Sequence, residues 1–277
     1  TQIDKKLFDN IKKDSIKRMN ILYAPPNLLR MSMYLELSRP AGDTSRWEKV
    51  FKRLKLLNKQ YPLEKRQHPV LFKNNNNMLL KEVKTFFVKE KVVFFGSMAL
   101  NVYNNLNDNV KNSNVFYILS KDPKQLTLKF LKKFKDHDIE IKKQNGVDDI
   151  LSSVYEIYVD NVKVASIFKT LACYSYVKFK DMLIASIDTM LSFYLAFLFT
   201  NRPYYNEKRI LCMSHYLFDV QNKRKQSQKG LLKRFSIDCY GNQHTMEEIR
   251  SKKAETFREL RKLKIKSGKK YEWHFLK

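Results

Sequence analysis

At 277 residues, 43% of them apolar, the chain is long enough for one large domain or two small ones with a sizeable core. Its 54 lysines and arginines against 28 acids give a formal charge of +26, which says little about fold but points to nucleic acid, ahead of acidic protein or an anionic membrane, as the partner. Six glycines argue against a loop-rich all-β protein, and three widely spaced cysteines against a disulfide framework.

The first 20 residues read as a short basic amphipathic helix, with Ile3, Leu7, Ile11 and Ile16 near helical spacing. Ala24-Pro25-Pro26 ends that region, and Leu28–Leu37 is again helix-like. After a turn at 38–43, Ser45-Arg46-Trp47-Glu48 fits a capping box. The helix it opens places Trp47, Val50, Phe51, Leu54 and Leu57 on one face. A loop with Pro62, Pro69 and the Asn74–Asn77 run leads to a helix near Met78–Lys89.

A mixed α/β region begins at Lys91. Val, Ile, Tyr and Phe predict strands at 91–95, 115–120, 138–143, 153–160 and 163–168, the last two joined by an Asp160-Asn161 hairpin turn. Helices fit 97–106 and 123–135. From Met182 the chain reads as helical to about Lys223, followed by a basic loop and a polar strand or turn at 234–241. Thr245-Met246-Glu247-Glu248 then caps a last, densely charged helix at 246–264. The expected organisation is an N-terminal helical region (1–90), an α/β domain (91–180) and a C-terminal helical, basic region (181–277).

Val92-Val93-Phe94-Phe95-Gly96-Ser97-Met98 reads as a buried strand, a tight turn and a helix start. Glycine lets a backbone approach a phosphate closely, the helix offers free amides and its positive end, and Ser97 adds a hydroxyl donor. Taken alone this motif is generic. Around it, Met31-Ser32-Met33-Tyr34-Leu35-Glu36-Leu37-Ser38-Arg39-Pro40, Ser45-Arg46-Trp47-Glu48-Lys49-Val50, Phe95-Gly96-Ser97, Leu171-Ala172-Cys173-Tyr174-Ser175-Tyr176 and Phe235-Ser236-Ile237-Asp238-Cys239-Tyr240-Gly241-Asn242-Gln243 resemble the poly(A) polymerase catalytic subunits of large cytoplasmic DNA viruses, of the poxvirus and giant-virus type. The resemblance implies an α+β, polymerase-β-like nucleotidyltransferase fold with a mixed sheet and flanking helices. It also implies ATP as substrate, an RNA 3′ end as acceptor, and a homo- or heterodimer with a polymerase-family or processivity subunit.

Adenylyl transfer of that kind uses two divalent metals, and hard cations such as Mg²⁺ take oxygen ligands, usually carboxylates. In the resembled family two acids alternate on one strand and a third sits on a neighbouring strand. Those positions fall at Val115, Tyr117 and Ser166, none acidic, and a shifted register gives only Asn112 and Asn114. The nearest acids, Asp108, Asp122 and Asp160, lie in expected loops. The chain is therefore read as a non-catalytic member that keeps nucleotide-contacting Gly96 and Ser97. No cofactor is expected to bind tightly, with ATP and Mg²⁺ or Mn²⁺ needed only if it is active. The alternatives are an active adenylyltransferase with displaced ligands and an architectural component of a viral transcription complex.

Residues 222–277 hold 17 basic against 6 acidic residues, which makes Lys223, Arg224, Lys225, Lys229, Lys233 and Arg234 the candidate RNA contacts. Tyrosines beside cations, as in Arg202-Pro203-Tyr204-Tyr205 and Lys269-Lys270-Tyr271, could stack on bases. His68, His137, His215, His244 and His274 have no metal spacing, and Asp181 and Asp188 read as solvent or cap residues of one helix. Cys173, Cys212 and Cys239 suggest a reducing compartment. The longest apolar run, Met190–Phe199, is too short to cross a bilayer, and no signal-peptide pattern opens the chain. The expected location is the host cytoplasm (viral factory) or the virion.

Overall fold

The computed structural model describes residues 5–38, 44–63, 78–104, 115–147, 150–200, 206–223, 238–242 and 244–264. The fold is α+β: a mixed sheet with helices on both faces. Helix α1 (Lys5–Lys13) is shorter than the expected N-terminal helix. Met19 and Asn20 both adopt positive φ (47° and 60°) and turn the chain between β1 (Ile16–Arg18) and β2 (Ile21–Tyr23), a separate hairpin. Helix α2 (Pro26–Ser38) packs against α3 (Thr44–Gln60), where Val50 and Leu54 are buried and Trp47 and Phe51 lie against the core. Because α3 begins at Thr44, Ser45 falls inside the helix, with its side chain outside the described atoms. Glu48 meets Lys52 one turn on, at 2.7 Å.

The eight-stranded sheet has the order β10-β8-β9-β3-β4-β7-β6-β5. Its strands are β3 (Val93–Phe95), β4 (Phe116–Ser120), β5 (Ile139–Gln144), β6 (Val154–Val159), β7 (Val162–Lys169), β8 (Tyr174–Phe179), β9 (Met182–Ala185) and β10 (Cys239–Tyr240). Only β3/β9 and β4/β7 pair in parallel. The β6–β7 hairpin turns through Asp160 and Asn161, both at positive φ (49° and 62°), as the sequence predicts. Met182–Ala185, expected to be helical, is a strand, hairpinned to β8 through Lys180 at φ 52°.

One sheet face is closed by α4 (Met78–Lys89) and α6 (Pro123–Lys133). Phe86, Phe87, Phe130 and Phe134 interlock there, and Phe87 meets Phe116, which in turn meets Phe94. On the opposite face Phe95 and Phe168 pack against Phe193 and Phe197 of α7 (Ile187–Phe199). Helix α8 (Glu207–Lys223) packs on α7 and α2, and α5 (Gly96–Asn104) runs from β3. Helix α9 (Met246–Lys262) starts with the predicted capping box: Thr245 Oγ1 accepts the Glu248 amide at 3.1 Å, and Glu248 accepts the Thr245 amide at 2.9 Å. Among the described residues no helix is long and apolar enough to cross a membrane.

Cys173 and Cys239, expected to stay unpaired, are joined as a disulfide with Cα atoms 5.4 Å apart. The pairing follows from topology: β10 lies antiparallel on β8, with Cys239 opposite Ser175. A separation of 66 residues left no spacing signal in the sequence. Cys212 is free.

Candidate active site

Strand β3 is wholly buried and delivers the chain to Gly96, which opens α5 at φ +64°. A β-carbon there would lie 3.1 Å from both Cγ and Cδ2 of Tyr117. Glycine is thus demanded twice, by a left-handed backbone and by the Tyr117 ring lying against the turn. Ser97 is buried in the first turn of α5.

A second strand end lies beside this turn. Strand β9 runs parallel to β3 with Ile184 level with Phe94, so Ser186 follows β9 where Gly96 follows β3. Ser186 is the N-cap of α7. Its hydroxyl and that of Ser175 donate to the Asp188 carboxylate, and Thr189 Oγ1 donates to the Ser175 carbonyl at 3.0 Å. Tyr103 of α5 donates to the Ala185 carbonyl at 2.9 Å and ties the two units together. Burial, helped by the Asp188 charge, pushes the Tyr103 phenol well above its ordinary range. Asp188 thus lies partly buried in the first turn of α7 holding two serine hydroxyls, neither solvent-facing nor the cap, whereas Asp181 lies in the β8–β9 turn and shares no helix with it. Two helix N-termini side by side at the ends of parallel strands form the kind of crevice in which open α/β sheets take ligands.

The floor of the site is a row of residues on one sheet face. Phe95 is opposite Tyr117, Tyr117 is level with Ser166, Ser166 is opposite Glu156, and Glu156 is opposite Lys142. Register partners project to the same face, so Tyr117 and Ser166 are neighbours. Val115 stands two residues before Tyr117, ahead of β4 and partly exposed. The Ser166 hydroxyl is buried without a hydrogen-bond partner. Glu156, only 4% exposed, is the one buried carboxylate among the described residues. It is ion-paired with Lys163 Nζ and accepts from Tyr158 Oη at 3.2 Å. Lys142 spans Glu140, at 3.0 Å, and the Tyr158 ring, whose centroid is 4.7 Å away.

The other expected acids serve local structure. Asp122 caps α6 by accepting the Gln125 amide at 3.0 Å, and Asp160 in the β6–β7 turn accepts the Asp138 amide at 3.2 Å and meets His137 at 3.1 Å. Asp108, Asn112 and Asn114 lie outside the described residues, as do Arg224, Lys225, Lys229, Lys233, Arg234 and the Lys223 side chain. Among the described residues no three His, Cys, Asp or Glu side chains converge as a metal site. His215 is held between Tyr34 Oη at 2.9 Å and Asp219 at 3.3 Å. Two features were absent from the sequence reading: the Glu156–Lys163 pair, and a basic groove of about 800 Å³ between α4 and α6. Lys81, Lys89, Lys129, Lys132 and Lys133 line that groove with Glu82 and Glu90.

No protein-family model matches the chain, and no curated protein matches it. Among solved structures the fold matches the crystal structure of the Megavirus polyadenylate synthase, with a TM-score of 0.68 over 94% of this chain at 18% identity. The chain has the fold of a viral polyadenylate synthase. It spans 58% of that synthase's length. The likeness agrees with the α+β fold expected from the sequence.

Proposed function

We propose that the chain is a viral poly(A) polymerase-family protein acting in mRNA 3′ polyadenylation as a non-catalytic, RNA-binding subunit paired with a partner. The observation that carries this is the floor row. In the register that the family resemblance implies, Val115, Tyr117 and Ser166 stand for the carboxylates that would hold the metals, and none of them can supply a charged oxygen; Tyr117 and Ser166 are neighbours in the row. The Tyr117 ring is pressed against Gly96, at the turn where a triphosphate would lie. Without a metal to lower the pKa of the attacking hydroxyl and steady the leaving pyrophosphate, the transfer loses its main electrostatic support.

RNA is the partner that a charge of +26 favours. Support within the described residues comes from the α4–α6 groove, whose rims carry five lysines against two acids. The remaining cations at 223–234 extend the same surplus along the chain. The proposed setting is the cytoplasmic viral factory or the virion, with a polymerase-family or processivity subunit supplying what this chain lacks.

The test is binding of short oligo(A) and oligo(U) RNA across a salt series, alongside a pull-down from infected cells. Affinity that falls steeply with salt and differs little between the two sequences is expected, together with a companion that retains an acid pair. Tight protein association with no salt-sensitive RNA binding would point instead to an architectural component.

A further inference from the structure

Glu156 is an anomaly for the sheet that holds it. A lone carboxylate removed from water shifts to its neutral form or acquires a cation, because the cost of burying an uncompensated charge is large. Glu156 sits beside Ser166 on the floor row, one strand beyond the third expected metal-ligand position. Its compensation is Lys163, which comes from the far side of the same hairpin. The β6–β7 register shifts between Ile157 and Tyr158, so that Tyr158 pairs with Lys163 instead of Val164. That irregularity places Lys163 on the Glu156 side of the sheet. The Tyr158 hydroxyl supplies the remaining donor.

The residues present do not fit a pair of divalent metals: the row offers one buried carboxylate, and it is already engaged. From this disagreement we propose that Lys163 is a resident cation. Its ammonium neutralises the one acid left on the floor, and by occupying Glu156 it keeps divalent metal from binding there. This rests on reading the row as the remnant of a nucleotidyl-transfer floor. The proposal goes further by assigning the neutralising charge to a particular side chain and by specifying what its removal uncovers.

The experiment reads thermal unfolding of the full chain with EDTA, Mg²⁺ or Mn²⁺, without RNA or ATP, so its failure is separable from failure of the RNA-binding proposal. Wild-type protein should show the same Tm in all three. Lys163→Met should unfold at lower temperature in EDTA and recover with Mn²⁺, because the bared carboxylate beside the Ser166 hydroxyl takes a cation. Lys163→Met combined with Glu156→Gln should regain most of the lost Tm and lose the Mn²⁺ response. Should Lys163→Met not fold, Lys163→Gln carries the test, since its amide can still hydrogen-bond Glu156 without neutralising it: its Tm should rise with Mn²⁺, and a folded Lys163→Gln indifferent to Mn²⁺ would overturn the proposal. A wild-type Tm raised by Mn²⁺ and flattened by Glu156→Gln would overturn the proposal. So would a folded Lys163→Met that ignores Mn²⁺.

Discussion

Replacing Gly96 tests whether Tyr117 truly lies on the turn. A non-glycine residue at φ +64° is in the left-handed region, at a cost of about 1–2 kcal/mol. The new methyl of Gly96→Ala would stand 3.1 Å from Tyr117 Cγ and Cδ2 and 3.2 Å from its Cβ. Such contacts displace the ring by a few tenths of an ångström, an overpacking term of about 1 kcal/mol. The stiffer unfolded chain returns about 0.5 kcal/mol, which leaves a net loss of about 2 kcal/mol. In a Tyr117→Ala background the two ring contacts vanish and only the Cβ contact at 3.2 Å remains, so the overpacking term shrinks and the same substitution should cost about 1–1.5 kcal/mol. The assay is a double-mutant cycle by urea unfolding, with m-values checked for constancy. Equal costs in the two backgrounds would refute the placement of Tyr117 against Gly96, and with it the argument that the ring crowds the phosphate turn.

Lys163→Ala leaves Glu156 buried alone and should destabilise by about 3 kcal/mol, near the lower end for a broken buried pair because Lys163 is partly exposed; chemical denaturation measures it. Non-reducing peptide mapping should find Cys173 joined to Cys239 and Cys212 free, and reduction should lower stability by up to about 4 kcal/mol for a loop of this length. Thr245→Ala removes one half of the α9 capping box and should cost about 1 kcal/mol. Lys84 has its pKa lowered, first by burial and then by Lys180. The unfolded state therefore holds that proton more tightly, and stability should rise with pH from the lowered value towards the unfolded one near 10.5. In Lys84→Met that rise should shrink, as read by Tm across an alkaline series.

Legibility in the sequence tracked the range of the interactions. Residues 154–169 declared a hairpin because β-branched and aromatic runs flank Asp160-Asn161, and the turn is local. The α9 cap was equally readable from Thr245 and Glu248. Met182–Ala185 was not, because a four-residue apolar strand running straight into the apolar helix α7 shows no periodicity of its own. The Met19–Asn20 turn hid within an apparently helical pattern, since neither residue is a glycine. At the candidate site, motif and register singled out Gly96, Ser97, Val115, Tyr117 and Ser166; the sheet sets Tyr117 beside Ser166, while Val115 lies ahead of β4. Glu156 was missed because an acid in an alternating strand reads as solvent-facing until the covering elements are known. Its signal was a strand apolar on both faces, Val154 to Val159, with one charge inside it. The pairing of Cys173 with Cys239 depends on β10 returning to β8 from far along the chain, which no local pattern records.

The most direct measurement is incubation of the purified chain with a 3′-hydroxyl RNA, ATP and either Mg²⁺ or Mn²⁺, read on a sequencing gel. A floor without free carboxylates predicts an unextended primer with both metals. An adenylate ladder that disappears in Gly96→Val and Glu156→Gln would contradict it and make this chain a polymerase in its own right.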